Sequence, residues 1–124
     1  MQRLVIAAAL AGSMLIAPAA HAANWTTIAT RTATGTSVKV IDKTMSGPVA
    51  LRLKSRSETE GAVAWVVTCA LGEDVKAVSG TWFPELGRDR KRLTVPIEAA
   101  DTCQVIVSIN ATGPDPLRVS LQTQ

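Results

Sequence analysis

The sequence predicts an all-β domain, an antiparallel two-sheet sandwich of about eight strands in immunoglobulin-like, Greek-key or jelly-roll order. Three observations carry that expectation. After the first 22 positions, short runs of period-two alternation follow one another, separated by turn residues. Helical periodicity never extends beyond two turns in the same region. The two cysteines of the chain, Cys69 and Cys103, each share the apolar parity of such a run. In Ala62 to Ala70, Val63, Trp65, Val67 and Cys69 point to one side of a strand; in Cys103 to Ile109, so do Cys103, Val105, Val107 and Ile109. A buried disulfide joining these two central strands is the simplest pairing.

The segment 1–22 reads as a secretory signal peptide. Arg3 supplies a positive start, Leu4 to Ala17 is apolar but short for a bilayer span, Pro18 breaks it, and Ala20-His21-Ala22 has the small-x-small form of a cleavage site. Residues 23–124 then form a single domain of modest core. Export to the extracellular space or periplasm suits a two-cysteine chain, because an oxidising compartment lets a disulfide persist. The alanine-rich signal looks bacterial, so Asn24-Trp25-Thr26 and Asn110-Ala111-Thr112, which match the glycosylation pattern, are expected to stay unmodified.

In chain order, Asn24 to Arg31 is threonine-rich and reads as an irregular or edge strand. Beyond a turn at Gly35, Val38 and Val40 alternate with Lys39 and Ile41. Met45-Ser46-Gly47-Pro48 is a turn, and Val49, Leu51 and Leu53 alternate with Ala50, Arg52 and Lys54 in a half-buried strand. Ser55 to Gly61 is polar and reads as a loop before the central strand. Leu71-Gly72-Glu73-Asp74 closes that strand, Val75 to Thr81 forms a weaker one, and Pro84 to Asp89 reads as a loop. Leu93, Val95 and Ile97 alternate around Pro96, which suggests an edge or a bulge because proline donates no ladder hydrogen bond. After the Cys103 strand, Gly113-Pro114-Asp115-Pro116 is a rigid turn, and Leu117, Val119 and Leu121 define the last strand.

What is missing narrows the chemistry. His21 leaves with the signal and the chain has no tyrosine, so nucleophilic catalysis with a histidine base and histidine zinc sites are excluded. No glycine-rich phosphate loop is present. No enzymatic activity and no cofactor are expected. Calcium is the one metal worth weighing, through the loop carboxylates Glu58, Glu60, Glu73, Asp74, Asp101 and Asp115, which would also serve a small carboxylate-dependent hydrolase. The commoner role of such side chains is a solvated surface.

The charge balance points to no nucleic-acid partner, since 13 Lys and Arg (12 without Arg3) face 10 Asp and Glu. No membrane insertion is expected after signal cleavage, because no later segment is long and apolar enough for a membrane helix. The stretch from Trp82 to Arg92 is the candidate binding element. Trp82, Phe83 and Leu86 offer an apolar tip, and Arg88, Arg90, Lys91 and Arg92 a basic collar around one loop. Alternation puts one of the two adjacent aromatics into the core. Trp65 belongs in the core, and Trp25 suits a cap over one end of the sandwich. The leading expectation is a small secreted non-catalytic binding or accessory module whose partner is a protein or an anionic cell-surface polymer. The alternative is a protease inhibitor or toxin-like effector presenting loop 84–91.

Overall fold

The structure, a computed structural model, describes residues 24–124; the expected signal peptide lies outside them. Eight strands form: β1 (Thr26–Ala33), β2 (Val38–Met45), β3 (Leu51–Ser57), β4 (Gly61–Leu71), β5 (Asp74–Trp82), β6 (Gly87–Leu93), β7 (Thr102–Ala111) and β8 (Leu117–Thr123). They make two antiparallel four-stranded sheets, ordered β1-β8-β3-β6 and β2-β7-β4-β5. Apart from the β4–β5 hairpin, each strand lies beside one that does not follow it in sequence, and the chain crosses between sheets from strand to strand. That is the jelly-roll order, one of the orders expected from the alternation.

The β4–β5 hairpin follows directly from the sequence. Leu71 pairs with Asp74, so the loop is the two residues Gly72 and Glu73. Gly72 has φ 61°, a value that the first central position of a primed hairpin turn requires and that glycine adopts without steric penalty.

The core fills the gap between the sheets. Leu51, Leu53, Leu117, Val119 and Leu121 come from one sheet, and Ile41, Val63, Val67, Val105, Val107 and Ile109 from the other. Cys69 and Cys103 lie directly opposite each other on β4 and β7, and their sulfurs are bonded at 2.06 Å. The disulfide therefore links the two central strands of one sheet, not the two sheets to each other. Trp65 shares that inward face and packs over Gly80, its partner on β5. A Cβ at Gly80 would stand 2.7 Å from the Trp65 ring. Gly80→Ala is therefore expected to lower unfolding free energy by about 1–3 kcal/mol, the usual range for overpacking. Urea denaturation of the variant checks this; an unchanged midpoint would show that the indole moves aside freely.

Three strands, β2, β6 and β3, differ from the sequence expectation. In β2 the buried residue is Ile41, whereas Val38 and Val40 are about half exposed, the reverse of a Val38/Val40 core parity. The reason is position: β2 is an edge strand, and Ile41 reaches the core between Lys39 and Lys43 of the same parity. The second difference is β6. The loop expected over 84–89 and the strand expected over Leu93–Ile97 are displaced: the strand is Gly87–Leu93, and Val95 and Ile97 pack against the core from an irregular segment. Pro96 falls beyond the ladder, whose last pair is Leu51↔Leu93. Ser55 and Ser57, expected in a loop, belong to β3 and are buried, with their hydroxyls donating to the carbonyls of Asp89 and Glu85.

Edge strands expose unpaired backbone groups, and charged side chains at inward positions discourage edge-to-edge pairing. All four edges of this sandwich carry them. By register they are Arg31 on β1, Lys39 and Lys43 on β2, Lys76 on β5, and Asp89 and Lys91 on β6.

Candidate functional site

The stretch from Trp82 to Arg92 divides into three parts. Trp82 is 8% exposed and belongs to the core, while Phe83 is 71% exposed, so the aromatic pair splits as alternation requires. The loop itself is short, 83–86, with Phe83 and Leu86 exposed beside Pro84, Glu85, Glu60 and Gly61. The basic residues are not on it. Arg88, Arg90, Lys91 and Arg92 stand on β6, paired to β3 from Ser57↔Gly87 to Leu51↔Leu93.

Asp89 holds this corner. Its carboxylate accepts the backbone N–H of Glu85 at 3.0 Å and that of Arg90 at 2.8 Å. The Glu85 N–H is the main cause that holds the Asp89 carboxyl below its ordinary value; the Arg90 N–H and the Trp82 indole add to it, and burial opposes it. A carboxyl depressed in the folded state stabilises the fold above its unfolded value, and that contribution disappears as the pH falls through the folded value. Asp89→Ala is expected to cost about 1–2 kcal/mol at neutral pH, the scale of partly solvated charge-assisted hydrogen bonds. The gap between variant and wild type should close as the pH drops below the usual carboxylate range. A gap that persists in acid would assign the loss to packing instead.

The register assembles a larger feature. Leu51, Leu53 and Leu93 point inward, so their neighbours point out, and the outward positions of β1-β8-β3-β6 line up in rows across the sheet. Arg92, Arg52, Gln122 and Thr27 form one row; Arg90, Lys54, Ser120 and Thr30 the next; Arg88, Arg56, Arg118 and Thr32 the third. Seven of the 13 Lys and Arg residues stand on this one face, and no aspartate or glutamate occupies any of these outward positions. Arg56 faces an arginine on both sides, Arg88 and Arg118. Like charges directly opposite in a ladder destabilise it, so the arrangement works against the fold in every row. The Arg52 guanidinium is lowered from its ordinary pKa, first by burial and then by the charges of Arg90 and Arg92.

Two shallow clefts run along the face. One of about 230 Å³ lies among Lys54, Arg56, Arg88, Arg118, Ser120 and Gln122. The other, of about 500 Å³, shares Arg56 and Arg118 and continues toward Pro116, where Glu58 is the single carboxylate in the lining of either cleft. Trp25, expected as an end cap, belongs to this face: the Arg52 guanidinium lies 4.3 Å from its ring centre and that of Arg92 5.2 Å, both within cation–π range.

The opposite outer face, on β2-β7-β4-β5, is nearly neutral. Val38, Val40, Ala64, Val66 and Ile106 stand there among serines and threonines, with Asp42 hydrogen-bonded to Gln104. The small net charge of the chain conceals this difference between the two faces.

No protein-family model matches this sequence, and no curated protein matches it. Among solved structures, the chain is similar to TmCBM61 in complex with β-1,4-galactotriose, at 12% identity and a TM-score of 0.43, over 82% of this chain and 90% of that one. No ligand is carried over from it.

The loop carboxylates do not converge. Glu58 and Glu60 lie at the end of the sandwich where β4 begins, tied by backbone bonds to Pro116 and Thr112. Glu73, Asp74 and Asp101 lie at the end where β4 finishes, and Asp101 accepts the N–H of Gly72 at 3.0 Å. Among the described residues, no group of three or more His, Cys, Asp or Glu side chains is placed to hold a metal ion. No helix among them is long and apolar enough to cross a membrane.

Sequence reasoning singled out Arg88, Arg90, Lys91 and Arg92 as a collar around one loop, and it passed over Arg52, Lys54, Arg56 and Arg118. A signal was present. Arg52, Lys54 and Arg56 are the entire polar parity of β3, and Arg88, Arg90 and Arg92 are one parity of β6. Two strands with an all-basic parity make one basic surface only if they pair, and that depends on topology.

Proposed function

We propose that the protein is an exported, non-catalytic binding module that holds an anionic polymer of the cell surface against the outer face of β1-β8-β3-β6. The observation that carries this reading is the set of like-charged pairs, Arg52 with Arg92, Lys54 with Arg90, and Arg56 with Arg88 and Arg118, aligned without a carboxylate among them. A cationic arrangement that weakens its own sheet is accounted for by a ligand that neutralises it. Strands rise about 3.3 Å per residue, so cations two positions apart recur about every 7 Å along β3 and β6. A linear polyanion lying along these strands would meet several at once. Export rests on the apolar leader with its Ala20-His21-Ala22 motif and on the buried disulfide.

The inhibitor alternative loses its main support. A trypsin-like specificity pocket takes an arginine or lysine from a projecting loop, and loop 83–86 has neither; the basic residues of 84–91 are held in a ladder.

Retention of residues 23–124 on immobilised polyphosphate, dextran sulfate and polyuronate tests the proposal. Binding at low salt with elution at several hundred millimolar chloride is the expected result, because the contacts are screened over a Debye length of about 10 Å at 0.1 M. Flow-through on all three resins at low salt would refute it.

A further inference from the structure

Within the basic face, one row differs from the other two. Gln122 is 6% exposed although it shares the outward row, and its amide is fixed at both ends: Nε2 donates to Thr27 Oγ1 at 2.9 Å, and Oε1 accepts from Arg52 Nε at 2.6 Å. Arg52 is thereby held through its Nε, and its guanidinium lies against the Trp25 ring. Arg92, opposite Arg52 in the ladder, brings a second guanidinium to the same indole. Each guanidinium is a planar fork that meets an oxyanion with paired N–H donors. The Nη groups of Arg52 have no hydrogen bond among the described residues, and neither do those of Arg92. In the other two rows the cations are exposed and lack any such support.

We propose that Arg52, Arg92 and Trp25 form the anchoring subsite of this face and take one tetrahedral oxyanion, a phosphate or sulfate group of the ligand. The inference rests on the polyanion reading and deepens it. Fixing one guanidinium before binding removes the ordering cost that a free arginine meets on engaging an anion. Placing a second beside it supplies the other pair of donors. The indole provides an apolar wall that excludes water from one side, which strengthens the charge-assisted bonds. A planar carboxylate offers only two oxygens and cannot satisfy both forks as fully.

The test uses residues 23–124 labelled with 15N, with the Trp25 indole N–H assigned through Trp25→Phe. The protein is titrated with inorganic phosphate, sulfate and acetate at constant ionic strength. The indole N–H of Trp25 and Nε–H of Arg52 are expected to shift saturably with phosphate or sulfate and far less with acetate. The stronger of the two tetrahedral ions identifies the source chemistry, a phosphorylated or a sulfated polymer. In parallel, R52Q/R92Q is compared with R56Q/R88Q, which removes the same charge from the third row. R52Q/R92Q is expected to lose at least tenfold more affinity for the matching polymer; R92Q alone, at an exposed position, guards against misfolding of the double variant. Equal losses from the two double variants, with no saturable shift at Trp25, would overturn the subsite while polymer binding by the wild type upheld the face. Absence of polymer binding by the wild type would overturn both.

Discussion

Replacing Cys69 and Cys103 together by alanine is expected to lower the unfolding free energy by about 3–4 kcal/mol, through the roughly 35-residue loop that the bond closes in the unfolded chain. For a domain of this size that corresponds to a fall in melting temperature of roughly 15–30 °C. The native ladder does not depend on the bond for its register. β4 and β7 pair from Gly61↔Ala111 to Ala70↔Thr102, and Val67↔Val105 and Trp65↔Val107 pack beside the cysteines. The effect should therefore appear almost entirely through the unfolded chain, with the β-rich circular dichroism spectrum and polyanion retention intact at low temperature. Alanine is the appropriate replacement because both positions are about 1% exposed, and serine would bury a hydroxyl. A loss below about 1 kcal/mol would mean that the unfolded chain is already confined without the bond.

Arg56→Glu should move binding and stability in opposite directions. A unit charge about 7 Å from a bound anion in water contributes about 0.6 kcal/mol. Reversing one charge against two or three neighbouring anions therefore weakens binding by about tenfold or more at low salt. The loss should shrink at 1 M salt, where screening acts within about 3 Å. The same substitution places a glutamate between Arg88 and Arg118, turning two like-charged ladder pairs into opposite-charged ones. Such pairs stabilise sheets by about 0.2–1 kcal/mol each, so the melting temperature should rise. Thermal unfolding and polymer retention on the same sample check both signs. If stability falls together with binding, the arginines serve the fold rather than a ligand.

These opposite signs reflect how the basic face is encoded. Charge composition averages over both faces and comes out close to neutral, so it conceals a surface where six arginines and a lysine stand together. β6 is harder still to read. Gly-Arg-Asp-Arg-Lys-Arg-Leu contains one apolar residue, and a strand recognised by hydrophobic alternation must have a face in the core. An edge strand with charges at both parities satisfies its backbone through one neighbour and has almost no such face. Trp25 was legible as an aromatic near the start of the domain, but its two arginine partners lie 27 and 67 positions away.

Local physics in the chain sufficed for the strand class, the two central strands, the inward side of Trp65 and Cys69, the strand end at Gly72, and the pairing of the sole two cysteines. Period-two alternation and turn stereochemistry act over a few residues and need no knowledge of the partner strand. Only the tertiary structure decided the jelly-roll order, the inward turn of Ile41 in place of Val38 and Val40, and the conversion of a supposed loop into an edge strand. It also brought β3, β6 and β8 side by side. Backbone hydrogen bonding between strands is indifferent to side-chain identity, so which strands become neighbours is settled by the packing of the whole core; here that choice turned scattered arginines into a surface.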